Sequence, residues 1–327
     1  MKNASVDQRS TPPPLIFAHQ KPAFERLLEI GKACFAIQRK TLPLRARTNC
    51  LLLGPTGTGK THLVSAVAKA LGVDCELGVG FLPLALSNWI ILGGQDRSAQ
   101  STWTTIFKFL RGHRNHTGVV IFLDEIDKLA EHDTSWGTHI RVEGFTLLDL
   151  KLPTGLRDGE GDPIPDDALA MAQEVLTERT FIVAAGAFQN LWEKRTQSHI
   201  GFSQKSNSLP PPTPTDLVRI LPREIVNRFL STPLILPPLE PDDYLTMLET
   251  AAPQIPGYLR ETFIRVGLEK MSAAIAMQQG CRFLEELVLE TVLAERAYLT
   301  KEHPVQVADE SLKSISGRSR EKEVSAD

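Results

Sequence analysis

Three short apolar runs lie along the first two thirds of the chain, and amphipathic stretches lie around them. An apolar run of four or five residues predicts a buried strand, and apolar residues at helical spacing predict a helix. The predicted strands are residues 50–53, 119–123 and 181–185, and the predicted helices include about 22–40 and 63–71. Strands that alternate with helices favour an α/β fold, in which a parallel sheet is sandwiched by helices.

Proline-rich and polar segments divide the chain into parts. Pro12-Pro13-Pro14 ends a polar start, and the proline-studded segment 231–244 marks a boundary beyond which the pattern is helical. We predict a flexible N-terminal tail over 1–21, an α/β domain over 22–237, a small helical domain over 238–312 and a disordered tail over 313–327.

Composition narrows the functional classes only slightly. The chain has 327 residues, 42% hydrophobic and 23% charged, with a net charge of −3, which does not indicate a general nucleic-acid grip, although a local basic patch is compatible with it. No apolar run reaches the roughly 20 residues that span a bilayer, and the start lacks a signal-peptide pattern. Four scattered cysteines without CxxC spacing predict reduced thiols. We therefore expect a cytoplasmic protein without a membrane partner.

A glycine-rich turn follows the first predicted strand and precedes a predicted helix. This context is the one that the G-x-x-x-x-G-K-[ST] phosphate loop requires. Its backbone amides would cradle phosphates, Lys60 would reach the β- and γ-phosphates of ATP, and the Thr61 hydroxyl would bind Mg²⁺. The alternative is a glycine-rich turn without a ligand. The loop consists of Gly54, Pro55, Thr56, Gly57, Thr58, Gly59, Lys60 and Thr61.

Two carboxylates follow the second predicted strand. Ligands of parallel α/β sheets bind at the carboxyl ends of the strands, where Asp124 and Glu125 are expected. Asp124 fits the metal-side carboxylate, and Glu125 fits the base that polarises an attacking water. A solvated strand end is the alternative. The pair predicts ATP hydrolysis rather than nucleotide binding alone.

Together with these motifs, five later segments resemble the AAA+ ATPases, and within them the branch of ClpX and HslU. The resemblance spans about residues 45–312 and implies a P-loop AAA+ sheet followed by a helical lid, without the zinc-binding N-terminal domain of ClpX. The segments are 141–151, 181–191 with its Gly-Ala-Phe turn, 216–229, 280–288 and 307–312, the last similar to the family's final strand.

Further site residues follow from this resemblance. Arg228 falls on the arginine finger, which acts from a neighbouring subunit, and Arg282 falls on the sensor-2 arginine of the lid. A guanidinium suits both roles because it can bind phosphate oxygens in a bidentate way; an ordinary surface arginine is the alternative for Arg228. Ile16 and Phe17 roughly resemble the adenine pocket. A finger acting between subunits implies a homo-oligomer, most simply a hexameric ring or spiral.

Two parts of the chain depart from the family pattern. The region of the substrate-gripping pore loop offers Ile91-Leu92-Gly93, with Trp89 outside the aromatic position. The strand end at Ala184-Ala185, where a polar residue that senses the γ-phosphate is expected, has no side-chain donor. These departures raise doubt about polypeptide threading and leave the sensor role unfilled.

An apolar tripeptide, Ile200-Gly201-Phe202, lies in an otherwise polar segment. In ClpX such a tripeptide docks on the ClpP peptidase ring, so this segment is a candidate for binding a ClpP-like peptidase; retention by descent is the alternative. We interpret the basic segment 111–116 as a solvated helix end and the acidic segment 155–167 as an exposed loop rather than a Ca²⁺ site.

Three functions remain open from the sequence. The first is an oligomeric, Mg²⁺-dependent ATPase that unfolds or remodels protein substrates. The second is a regulatory ATPase that controls assembly of a DNA-associated, defence or transposition complex without threading. The third is a degenerate ATPase that binds nucleotide and barely turns over. Intact Lys60, Asp124 and Glu125 argue against the third, whereas Ala184 and Ala185 favour it.

Overall fold

A computed structural model describes most of the chain, and the chain divides into two compact units, Met1–Leu239 and Glu240–Asp327. Each unit is considered separately below. The described residues are 14–36, 46–73, 75, 77–92, 100–130, 135–158, 160–189, 191–192 and 212–302.

The first unit contains a five-stranded sheet in which every pairing is parallel. The strand order is β2-β3-β4-β1-β5, so the chain leaves β1 in one direction and returns to its other side with β5. The predicted parallel α/β sheet is confirmed, and its three predicted strands are β1, β3 and β4. The bounds are β1 Cys50–Leu53, β2 Val79–Ala85, β3 Gly118–Asp124, β4 Thr180–Gly186 and β5 Leu234–Ile235.

Helices cover both faces of this sheet. Alternate residues of β3 enter different cores: Ile121 joins a core with Trp103, and Phe122 joins a core with Leu27 and Leu63. Such burial on both faces explains why the strands have continuous apolar runs. The helices of this unit are α1 Lys21–Ala36, α2 Lys60–Val73, α3 Thr102–Gly112, α4 Ser135–Leu148, α5 Asp166–Glu178, α6 Pro214–Val218 and α7 Arg223–Val226.

Two strands are absent from the sequence prediction. β2 contains Pro83, and β5 has only two residues within a proline-rich segment. Proline lacks a backbone N–H and weakens a strand prediction, but an edge strand tolerates it because one side of the strand needs no partner. β2 and β5 are the two edges of the sheet. The segment 231–244 is therefore partly a sheet edge and not only a boundary.

The prediction of a flexible tail up to residue 21 is wrong for its last part. Residues Ala18–Gln20 form a 3-10 turn, and Phe17 and Gln20 are buried. The side-chain amide of Gln20 donates to the Thr58 carbonyl at 3.1 Å, so burial of Phe17 and this bond fix the segment against the glycine-rich turn.

The second unit is helical over its described residues, as the predicted fold class requires. Tyr244, Leu248 and Phe263 are buried in it, and Gly267 permits close helix packing because a Cβ there would lie 2.7 Å from Leu248 Cδ1. The predicted final strand at 307–312 lies outside the described residues. The helices are α8 Pro241–Ala251, α9 Gly257–Ala276 and α10 Arg282–Glu302.

No helix in the described segments is long and apolar enough to cross a bilayer. The same segments contain no group of three or more His, Cys, Asp or Glu side chains placed to hold a metal. All four cysteines are free thiols.

Candidate nucleotide site

The glycine-rich turn lies between the carboxyl end of β1 and the first turn of α2. Gly57 and Gly59 have φ values of +86° and +79°, a left-handed conformation that glycine adopts at no steric cost. Gly54 is buried, and its N–H donates to the Gly186 carbonyl at 3.4 Å. The loop therefore stands where the central strands of the sheet end, which is the usual ligand-binding edge of such folds.

Two side chains at the start of α2 project toward this edge. The Lys60 ammonium donates to the carbonyls of Gly54 at 2.8 Å and Pro55 at 3.0 Å, which holds it across the loop. The Thr61 hydroxyl donates to Asp124 Oδ2 at 2.8 Å. Residues 63 positions apart thus meet because β3 ends where α2 begins, at the carboxyl ends of the strands.

Glu125 adopts an unusual backbone conformation. Its φ is +60°, which a non-glycine residue adopts at a cost of about 1–3 kcal/mol and which is found mostly at functional sites. Its N–H donates to Asp124 Oδ1 at 2.9 Å, and its carbonyl accepts from the Lys128 N–H at 3.0 Å. Glu125 Oε2 is buried, and in the described part of the chain it has no hydrogen-bond partner. A buried polar atom without a partner calls for an explanation, and a role at a ligand site is one such explanation.

Thr61 and Asp124 also fit a Mg²⁺ ion. Magnesium is a hard cation that prefers oxygen ligands and is commonly held by one or two protein groups together with substrate phosphates. A hydroxyl and a carboxylate 2.8 Å apart supply this type of donor set. When bound, Mg²⁺ would neutralise charge on the phosphates.

The segment with Ile16 and Phe17 packs beside the loop. The Leu15 carbonyl lies 2.6 Å from His62 Nε2, and the Thr58 carbonyl lies 3.2 Å from His19 Nε2. The Phe17 and His62 rings are 6.3 Å apart. Ile16 and Phe17 are therefore near the phosphate loop, as an adenine pocket requires. Sequence reasoning missed His19, Gln20 and His62, since they contact residues 39, 38 and 47 positions away and belong to no local pattern.

Asp127, in the 3-10 turn that follows β3, contacts the end of β4 and was not identified by the sequence analysis. Asp127 Oδ2 accepts from the Phe188 N–H at 3.3 Å, and a Cβ on Gly186 would lie 2.8 Å from Asp127 Oδ1. Ala184 and Ala185 are fully buried. A carboxylate accepts hydrogen bonds and repels phosphate, so Asp127 does not replace the missing donor.

Arg228 lies near the amino end of β1, whereas the phosphate loop follows its carboxyl end. Asn49, which directly precedes β1, donates through Nδ2 to the Arg228 carbonyl at 3.2 Å and to the Leu148 carbonyl at 2.8 Å. The phosphate loop follows the other end of β1. The structure therefore does not bring Arg228 together with the phosphate loop of its own chain, and an action on nucleotide requires a second copy.

Arg282 is exposed and is the first residue of α10. It belongs to the second unit, and its proposed contact with nucleotide stays a prediction. Ile200, Gly201 and Phe202 lie outside the described residues, so their docking role also stays a prediction.

The segment that corresponds to a pore loop packs on its own core. Trp89 is 2% exposed, and Ile91 and Leu92 are half-buried against the same core. Glu143 of α4 accepts from Trp89 Nε1 and from the Leu92 N–H, each at 2.7 Å. Trp89, Ile91 and Leu92 are therefore anchored; Gly93 lies outside the described residues.

Two charged segments have structural explanations. In segment 111–116, Arg111 and Arg114 are exposed, and His113 Nδ1 lies 2.8 Å from the Phe109 carbonyl. In segment 155–167, the backbone N–H groups of Asp162 and Glu160 donate to the Asp158 carboxylate and hold its pKa below the usual range. The described residues of this second segment thus bond to one another.

The sequence matches a family model over part of this unit. Residues 50–147 match the model described as the ATPase family associated with various cellular activities (AAA). This range contains β1, β2, β3 and the turn with Lys60, but ends before Arg228. The match thus covers the phosphate loop and the Asp124–Glu125 pair together.

Several known proteins are similar over parts of the chain. One is the ATP-dependent Clp protease ATP-binding subunit ClpX 2 of Wolinella succinogenes, 27% identical over 177 residues, which are 50% of this chain and 41% of the relative. Another is the probable 26S proteasome regulatory subunit 10B of Caenorhabditis elegans, 35% identical over 102 residues, which are 31% of this chain and 22% of the relative. The chain spans less than half the length of these curated relatives.

A solved structure of the Aeropyrum pernix ORC1 protein in complex with DNA aligns with 87% of this chain and 62% of its own, with a TM-score of 0.49 and 17% identity. Residues 50–147 therefore resemble the ATPase domain of the AAA family in sequence, and the parallel sheet and the phosphate loop in its required context agree with that resemblance.

Proposed function

We propose that this chain hydrolyses ATP with Mg²⁺ as an oligomeric AAA+ ATPase, and that it uses the cycle to unfold or remodel protein substrates. The partial similarity to ClpX and to a proteasome regulatory subunit supports this class of work. The observation that carries the proposal is the contact of Thr61 with Asp124, next to a glutamate whose buried oxygen has no partner in the described chain.

Each residue of the site has a distinct role in this proposal. Backbone amides of residues 54–61 and the Lys60 ammonium bind the phosphates, while Thr61 and Asp124 hold the ion. Glu125 orients the attacking water and accepts its proton at the carboxylate. Arg228 of a neighbouring copy and Arg282 place guanidinium charge at the γ-phosphate, where negative charge is spread in the transition state. Ile16 and Phe17 contact the adenine.

Substitution of Glu125 tests the proposed chemistry. Glu125→Gln keeps the size of the side chain but removes the base, so we expect ATP turnover to fall by about 10²–10⁴-fold. Nucleotide affinity should change little, because the phosphate loop is unaltered. Turnover is measured by phosphate release and affinity with a fluorescent ATP analogue. Glu160→Gln, an exposed residue, is the matched control. Wild-type turnover in Glu125→Gln would remove this glutamate from the reaction.

A second candidate function is a regulatory ATPase that controls assembly of a DNA-associated or defence complex without threading. The burial of Trp89 and the packing of Ile91 and Leu92 on their own core favour it, because a threading loop has to present its grip to the substrate. Docking of a ClpP-like peptidase through Ile200, Gly201 and Phe202 belongs to the first candidate only.

A further inference from the structure

Asp149 lies directly after α4, at the amino end of β1. Its N–H donates to the Phe145 carbonyl at 2.8 Å, and Leu150 follows with a left-handed φ of +55°. The Asn49 amide bonds the carbonyl on one side of Asp149, that of Leu148, and also the Arg228 carbonyl. The backbone at Asp149 is thus fixed relative to the backbone at Arg228.

The two side chains form a bidentate ion pair. Arg228 Nε donates to Asp149 Oδ1 and Arg228 Nη2 donates to Asp149 Oδ2, both at 2.9 Å. Arg228 Nη1 donates to the Glu224 carbonyl, and the guanidinium carbon lies 4.6 Å from the centre of the Phe145 ring. The ion pair, the carbonyl contact and the ring contact therefore together fix the position and the orientation of the guanidinium.

This arrangement leaves part of the guanidinium available. Arginine has five N–H donors, and the bonds described for Arg228 use three, which leaves one N–H on Nη1 and one on Nη2. These two donors can bind two oxygens of one phosphate. Arg228 and Asp149 also line a cavity of about 230 Å³, and the side chain of Arg228 keeps 26% of its surface exposed.

We propose that Asp149 positions the Arg228 guanidinium so that its two remaining donors face nucleotide bound to a neighbouring copy. This inference rests on the proposed function. Asp149 is a positioning residue, because it acts through Arg228 and does not touch nucleotide. Both side chains are partly exposed, so solvent screens the pair and weakens its contribution to stability. Its effect is instead on the orientation of a long side chain that otherwise samples many rotamers.

The test compares three variants in steady-state ATP hydrolysis. Arg228→Ala tests the finger itself and should bind ATP but turn it over poorly. Asp149→Asn removes the charge and one acceptor, so we expect kcat to fall by about 10- to 100-fold, the usual result of a misplaced catalytic group, with KM little changed. Asp149→Asn added to Arg228→Ala should have no further effect. Asp162→Asn, on an exposed turn, is the matched control.

Mixing experiments separate positioning from damage to the fold. In an oligomer with shared sites, Asp149→Asn supplies an intact Glu125, and Glu125→Gln supplies an intact Asp149 and Arg228. The mixture should therefore exceed the summed activity of the two proteins. Folding damage in Asp149→Asn predicts no such gain, and that result would overturn the inference. If Arg228→Ala alone keeps wild-type turnover, the shared-site proposal fails; if only Asp149→Asn does so, the positioning role fails and the finger stands.

Discussion

At the residue scale, Gly54 shows how contacts between distant residues decide a single position. A Cβ at this position would lie 2.8 Å from Leu236 Cβ and 3.0 Å from the Leu236 carbonyl oxygen. Backbone atoms cannot move aside as a flexible side chain does. Glycine is thus required here because the chain directly after β5 passes close to it. This requirement adds to its place in the phosphate-loop motif.

Gly54→Ala should therefore destabilise the first unit and impair ATP binding. Overpacking of a tight site costs about 1–3 kcal/mol, so we expect a lower unfolding free energy in urea and weaker binding of a fluorescent ATP analogue. Gly112→Ala is the matched control, because a Cβ there meets no atom within 4 Å and alanine favours a helix. Equal stability of Gly54→Ala and the wild type would show that the backbone at residue 236 shifts to make room for the added methyl group.

The residues of the candidate site were predictable to different degrees. Residues 54–61, Asp124 and Glu125 belong to local motifs, so their proximity was expected, while their roles stay predictions. Gln20, Asp127 and Asp149 carry no such signal, because their positions depend on contacts with residues 38, 61 and 79 positions away. A single sequence contains no pattern that links such pairs.

At the scale of elements, α4 connects two regions that the sequence analysis treated separately. Glu143 anchors the segment with Trp89 and Leu92, and the carboxyl end of the same helix presents Phe145 and Asp149 to Arg228. The resemblance of segment 141–151 to a family helix gave no reason to expect these contacts. α4 therefore gives the candidate pore segment and the candidate finger a common support.

Removal of Glu143 tests the first of these contacts. Glu143→Ala leaves the indole N–H of buried Trp89 without its acceptor, and an unsatisfied buried donor costs about 1–3 kcal/mol. We expect the free energy of unfolding in urea to fall by a corresponding amount, and we expect a smaller decrease for Glu143→Gln, which keeps one acceptor oxygen. Glu25→Ala, on the exposed face of α1, should be nearly neutral. A midpoint unchanged by Glu143→Ala would mean that this anchor is not needed.

At the scale of the whole molecule, the chain joins an α/β unit to a helical unit. This order followed from the change of hydrophobic period near the proline-rich segment, and the parallel sheet followed from its buried apolar runs. The extent of the sheet did not, because β2 and β5 are edge strands with weak local patterns. Whether an edge strand forms depends on the neighbouring strand more than on its own residues.

One assay of the whole protein distinguishes the two candidate functions. A protein remodeller should abolish the fluorescence of a tagged, folded fluorescent protein in an ATP-dependent way, whereas a DNA-associated regulator should show DNA-stimulated ATP hydrolysis. Because Trp89, Ile91 and Leu92 pack inward, unfolding of a substrate by this segment requires these side chains to leave their core. Glu125→Gln serves as the inactive control in both assays. Loss of fluorescence with Glu125→Gln would contradict an ATP-driven mechanism.

Pro83 has a consequence for how this protein behaves when crowded. β2 pairs with β3 along its whole length, Pro83 included, and its other side is the edge of the sheet. A ring nitrogen in that strand cannot donate, so a foreign strand laid alongside finds an interrupted row of bonding groups. Edge-to-edge pairing of β2 strands between copies that associate through other surfaces is therefore disfavoured, and so is aggregation through a continuous sheet.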